Sequence, residues 1–171
     1  MPMTRRAALT ALVASAPALA SAHADRTLRE QMIGAWRLTN AVTIYPGGVE
    51  HSWDDRPAPQ KGIIIYAASG HMSVQISSKR PAARNDQDFG AFPAADRLHY
   101  LETYYGYCGR FDVVESQAEV HHLIEYSLDP TEVGLTYIRK VTLAGQQLTL
   151  ITTKDPADGG DRFSRLSWVR A

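Results

Sequence analysis

The chain has a single cysteine, Cys108, among 171 residues, so no intramolecular disulfide can staple it. Thiol chemistry is not expected of that lone residue, which reads as a small, half-buried apolar side chain. Charge of one sign is equally lacking. Acidic and basic residues balance at 18 each, and no block of either stands out. A nucleic-acid binder would show a basic stripe and a membrane-surface protein a basic amphipathic helix, so neither partner is expected. No glycine-rich loop follows a strand and opens a helix, which argues against a dinucleotide site. No Gly-x-Ser-x-Gly elbow marks a hydrolase nucleophile. No cofactor is therefore expected, and no metal. His51, Asp54 and Asp55 in "HSWDD" lack a second ligand cluster at fixed spacing and read as solvated loop charges.

What is present starts with an export signal. Arg5 and Arg6 precede an Ala/Leu-rich run from Ala7 to Ala20, and Ala22-His23-Ala24 forms an A-x-A cleavage site. The run is too short and too weakly apolar to act as a stop-transfer helix, and no cysteine at the cleavage point offers a lipid anchor. Residues 1–24 are thus expected to be a signal peptide and 25–171 one mature domain, periplasmic or secreted. Thr4 to Leu9 fits a loose twin-arginine pattern, and a general secretory signal with two arginines fits as well.

The mature chain reads as strands with two-residue periodicity. A short helical lead-in, Leu28 to Met32, precedes "GAWRLTNAVTIY", and "VEHSW" continues after the Pro46-Gly47-Gly48 turn. "KGIIIYA" is a continuous apolar run and reads as a well-covered strand. Ser69-Gly70 turns the chain into "HMSVQISS". Residues 79–93 shift to Pro, Ala, Asn and Asp and read as a long loop able to act as a lid. "AADRLHYLETYYGY" places Leu98, Leu101 and Tyr105 at helical spacing, with Tyr104 and Tyr105 candidates to line an entrance. Strands follow in "YCGRFDVV", "AEVHHLIEYSL", "GLTYIRKVTL", "QQLTLITT" and "RFSRLSWVR", with a polar loop from Asp155 to Asp161 before the last. The expected fold is all-β, an antiparallel up-and-down barrel of eight or nine strands with one helix at its mouth.

Six segments in order, "GAWRL", "SGHMSVQI", "YYGYCGRF", "HLIEYSLDP", "VGLTYIRKVTLAGQQLTL" and "LSWVR", resemble the bacterial and fungal lipocalin-like domain family from about Leu28 to Arg170. The resemblance implies a barrel with a ligand-sized cavity. It also implies that Trp36 closes one barrel end beneath a terminal arginine, Arg170 or Arg165. It implies no single reaction.

Strand alternation nominates the lining. Val120, His122, Ile124, Tyr126 and Leu128 share the more apolar face of their strand and should point inward, leaving His121 and Glu125 outside. The adjacent histidines therefore cannot grip one metal inside the barrel. Tyr137, Arg139, Val141 and Leu143 form the next inward set. Tyr107, Phe111 and Val113 join it, as do Trp36, Leu38 and Asn40. These sets contain no carboxylate, so an inward Arg139 needs tyrosine hydroxyls, an unrecognised internal acid or an anionic ligand.

The expected ligand-binding residues are Trp36, Asn40, Tyr107, Phe111, His122, Tyr126, Tyr137 and Arg139, around a small hydrophobic or amphipathic molecule with a polar or anionic end. Three alternatives stay open. The tips could satisfy one another in a solid core. His122 could act as acid or base while Arg139 or a tyrosine stabilises an oxyanion, giving cofactor-free isomerisation, cyclisation or hydrolysis. The outer face could instead serve an interaction module.

Overall fold

The computed structural model describes residues 26–80, 88–152 and 162–171. The export signal therefore lies outside the described residues, as do the centre of the 79–93 loop and the Asp155–Asp161 loop.

Helix α1 (Leu28–Met32) is short and depends on caps. Thr27 and Glu30 form a reciprocal capping box. Glu115, from the far side of the chain, takes the free backbone N–H groups of Leu28 and Arg29 at 2.9 and 3.0 Å. This clamp lays α1 across one end of the barrel.

Strand β1 (Gly34–Ile44) is the seam. It pairs with β3 (Lys61–Tyr66) through its first half, with the short β2 (Glu50–Ser52) through its second, and with β9 (Phe163–Arg170) along most of its length. Strands β4 (His71–Ser77), β5 (Tyr104–Val114), β6 (Glu119–Ser127), β7 (Thr136–Ala144) and β8 (Gln147–Thr152) complete an antiparallel meander. The β1–β9 pairing closes eight strands into a barrel and leaves β2 as an extra strip. Closure removes open edges, and eight strands leave an interior that side chains nearly fill.

Two bulges overturn part of the inside/outside assignment. In β1 the register slips between Leu38 and Asn40, with Thr39 the extra residue, its hydroxyl donating to the Ser167 carbonyl at 2.9 Å. Trp36 and Leu38 point inward, but after the slip Ala41 and Thr43 do, and Asn40 is exposed. In β6 Tyr126 pairs with Cys108 while Ile124 pairs with Gly109, so one residue is added. Tyr126 is 71 % exposed and Leu128 is exposed as well, whereas Ser127 turns in. One extra residue inverts every side chain that follows it. Gly109 permits the second bulge, because a Cβ there would run into the Leu123 carbonyl and the Glu125 amide.

Two further expectations change. Ile63 and Ile65 face outward and are exposed, so β3 is buried on one face only. Helix α2 (Ala94–Glu102) buries no residue of its own. Leu98 and Leu101 are exposed, and Tyr105 belongs to β5 rather than to the helix.

Candidate ligand cavity

The barrel ends differ in what fills them. At the α1 end Trp36 is fully buried and donates its indole N–H to the Met32 carbonyl at 2.8 Å. Arg170 lies 4.1 Å above the Trp36 ring and donates to the Ile33 and Gln31 carbonyls at 3.0 and 2.7 Å. The guanidinium is thus stacked and hydrogen-bonded, which is how a cation is held against apolar surface. Gly34 lies beneath it, where a Cβ would meet Arg170 Nη1. Arg165, the other arginine the resemblance allowed, instead pairs with Glu50 at 2.6 Å. Phe111 belongs to this end, under Arg29 at 4.5 Å and edge-on to Tyr66 at 4.9 Å. Trp36 and Phe111, expected among the ligand contacts, are packed core and do not line the cavity.

The cavity lies toward the other end and is small, about 40 Å³. Ile64, Val74, Ile76, Leu150 and Leu166 form its apolar wall, and Trp53, Tyr105, Tyr107, Trp168, His122, Arg139 and Thr152 supply the rest. Of the residues nominated from sequence, it gathers Tyr107, His122 and Arg139. Tyr137 does not line it and packs edge-on against Tyr107 at 5.8 Å instead. Asn40 and Tyr126 are outside the barrel because of the two bulges.

His122 is 1 % exposed and both ring nitrogens are engaged. Tyr66 Oη lies 2.9 Å from Nε2 and Tyr107 Oη 2.7 Å from Nδ1. Burial, then the Arg139 charge, then His121 hold the imidazole well below its ordinary 6.5, so it is neutral at physiological pH. Burial likewise lifts both phenols. Tyr66 goes well above its usual value, and Tyr107 is pushed up to about 12, with Arg139 beside it pulling the other way.

Arg139 projects inward as alternation required. Its Nη1 donates to the Ile138 carbonyl at 3.1 Å and its guanidinium lies 4.7 Å over the Tyr137 ring. Among the described residues it makes no ion pair with a carboxylate. Trp168 also lines the cavity, and its buried indole N–H has no acceptor among the described residues.

An internal acid does exist, where strand periodicity could not reveal it. Glu132 sits in the single helical turn between β6 and β7 (Pro130–Glu132) and is buried. Its Oε1 accepts from Tyr105 and Tyr137 at 3.1 and 2.9 Å, and its Oε2 accepts from Ser127 at 2.6 Å. Burial and the nearby Glu132 both raise the two phenols' pKa values.

Tyr105 also lines an outer groove of about 410 Å³ with Arg56, Leu101, Tyr104, Leu128 and Glu132, so it walls the cavity from the groove. Trp53, read from sequence as the end of a strand, turns into the barrel instead and packs edge-on to Tyr105 at 5.2 Å. Arg56 covers both rings at 5.3 and 5.7 Å. The W-D-D turn after β2 was the available signal for Trp53, since a large aromatic at a turn must find cover.

Several of the remaining charges pair outside the barrel interior. His121 reaches Glu119 at 3.3 Å, Lys140 reaches the same carboxylate at 2.8 Å, and Glu125 takes Arg110 at 2.9 Å. His51 approaches Asp55 at 3.5 Å and Asp54 pairs with Arg56. No helix of the described residues is long and apolar enough to cross a membrane.

A family model described as a lipocalin-like domain matches residues 33–171. No curated protein matches the chain.

Proposed function

The chain belongs to the lipocalin-like domain family, and from that premise we propose that its barrel binds a small hydrophobic or amphipathic molecule whose polar or anionic end meets Arg139. The barrel fold supports small-molecule binding in general. The observation that carries the finer reading is Arg139. An inward guanidinium with no carboxylate partner among the described residues, set in an apolar wall, is stabilised by an acceptor delivered from outside. The cavity admits only a compact group, so any longer ligand extends past Tyr105 into the outer groove.

The alternative in which His122 is the acid or base of a cofactor-free isomerase, cyclase or hydrolase needs a ring nitrogen within reach of the substrate. Both nitrogens are bonded to tyrosines, which favours binding over turnover by that residue. Export to the periplasm or beyond is part of the proposal, supported by the Arg5-Arg6 region, the apolar run and the A-x-A site.

Trp53 and Trp168 line the cavity, so intrinsic fluorescence reports its occupancy. Titration of the 25–171 chain with benzoate and with toluene tests the reading. Benzoate should quench and raise Tm, and Arg139→Leu should weaken benzoate about tenfold or more while leaving toluene unchanged. If neither probe shifts fluorescence or Tm, and Arg139→Leu alters stability alone, the barrel is a filled core.

A further inference from the structure

We propose that Tyr107, not His122, presents the hydrogen-bond donor to the ligand, that His122 positions it from behind, and that the oxygen received is a carbonyl or its enolate. The proposal rests on the cavity reading above and follows from counting protons in the Tyr66–His122–Tyr107 chain. A neutral imidazole has one N–H and one bare nitrogen. The bare nitrogen accepts a tyrosine O–H, and the N–H donates to the other tyrosine, whose own proton is left to find an acceptor elsewhere.

There are two ways to place that spare proton. With hydrogen on Nε2, His122 donates to Tyr66 and the spare proton belongs to Tyr66. Tyr66 is 1 % exposed, does not line the cavity, and its hydroxyl has no second polar partner among the described residues. A buried O–H without an acceptor is costly. With hydrogen on Nδ1, His122 donates to Tyr107 at 2.7 Å and Tyr66 donates to Nε2 at 2.9 Å. The spare proton then belongs to Tyr107, which does line the cavity. The geometry assigns the Nδ1 tautomer.

In that arrangement the Tyr107 oxygen accepts from His122 with Arg139 standing beside it, and both withdraw electron density from the phenol. The donor aimed into the cavity is strengthened while the imidazole never touches the ligand. Trp168 lines the same cavity with its ring, while its indole N–H is buried behind it. A neutral O–H donor and a guanidinium in an apolar chamber suit an sp² oxygen that carries or develops negative charge. They suit neither a hydrocarbon nor an ammonium group. His122 is a positioning residue in this scheme.

Two measurements decide it. In ¹⁵N-histidine-labelled protein, long-range ¹H–¹⁵N correlation should show the His122 proton on Nδ1. A proton on Nε2 overturns the assignment whether or not anything binds. The isosteric pair cyclohexanone and methylenecyclohexane then tests the ligand class. The wild type should prefer the ketone about tenfold, with its carbonyl stretch moved to lower frequency. Tyr107→Phe should bring the two affinities within about twofold and return the stretch toward its apolar-solvent position. His122→Asn, which keeps an amide N–H near the Nδ1 position, should retain more of the frequency shift than His122→Leu. A ketone preference that survives Tyr107→Phe, or equal binding of both probes by the wild type, refutes Tyr107 as the donor. Binding of neither probe removes the cavity reading and the ligand class together, and the correlation spectrum still decides the tautomer on its own.

Discussion

The α1 end and the cavity end of this barrel each hold a half-buried arginine against a set of aromatic rings, yet they settle their polar groups differently. At the α1 end Arg170 and the Trp36 indole bond to backbone carbonyls of Gln31, Ile33 and Met32. Backbone acceptors are there in any folded state of the chain, so this end is complete without a guest. At the cavity end the partners are side chains: Tyr66, Tyr107 and His122 bond one another, and Tyr105, Tyr137 and Ser127 converge on Glu132. Arg139 bonds the Ile138 carbonyl but has no carboxylate partner, and the Trp168 N–H has no acceptor, among the described residues. Full satisfaction marks scaffold, and residual polar groups in an apolar chamber are what the proposed ligand would meet.

The contrast is broken most forcefully at the closed end. Trp36→Ala should cost about 3–5 kcal/mol, since it empties a fully buried site and strands Arg170. Urea denaturation would read that loss, and probe affinity in the surviving folded fraction should be unchanged. An equal loss of affinity would mean that the two ends are not separable.

A medium effect belongs to His122 and shows itself through pH. The imidazole is neutral in the fold, with its pKa well below 6.5, while the unfolded chain takes up a proton near 6.5. Below that value the unfolded state binds more protons, so stability is complete above about pH 6.5 and falls as pH drops toward the folded value. The slope from this group approaches about 1.4 kcal/mol per pH unit. His122→Phe should flatten the slope between pH 6.5 and 5 while lowering stability at pH 7.5 by about 1–3 kcal/mol for each tyrosine hydroxyl left unpaired. Loss below about pH 4.5 should persist in that variant, because Glu119 is held below its usual range by Lys140 and His121. An unchanged slope in His122→Phe would show that the imidazole is not the group titrating.

The smallest effect expected is that of Glu132→Gln. The amide oxygen can keep the bonds from Tyr105 and Tyr137, and Ser127 can turn to accept from the amide nitrogen. The cost should be about 1 kcal/mol, the difference between charged and neutral acceptors. Because Tyr105 divides cavity from groove, ligand on-rates in stopped-flow fluorescence should rise. Slower entry would show that Glu132 holds the mouth open rather than closed.

Much of this architecture is legible from residue order. Two-residue alternation, the turn residues and the ordered segments specify an antiparallel barrel, and the same alternation separates His121 from His122 and turns Arg139 inward. Alternation fails at Thr39 and at the Glu125–Tyr126 step, where one added residue reverses the pleat and carries Asn40, Tyr126 and Leu128 outside. Neither bulge has a compositional mark of its own. Gly109, the residue that makes room for the second, stands on the partner strand.

Local sequence determined the strands, their inward faces up to the first bulge, and the identity of the buried imidazole and the inward guanidinium. Tertiary structure alone decided that Trp36 and Phe111 are scaffold, that Trp53 and Trp168 are lining, and that the internal carboxylate is Glu132 from a turn. It alone bonded both His122 nitrogens to tyrosines from β3 and β5. The physical reason is the same in each case. Periodicity reports which way a side chain points relative to its own strand, whereas depth along the barrel axis and the partner met there depend on register and closure between strands distant in the chain.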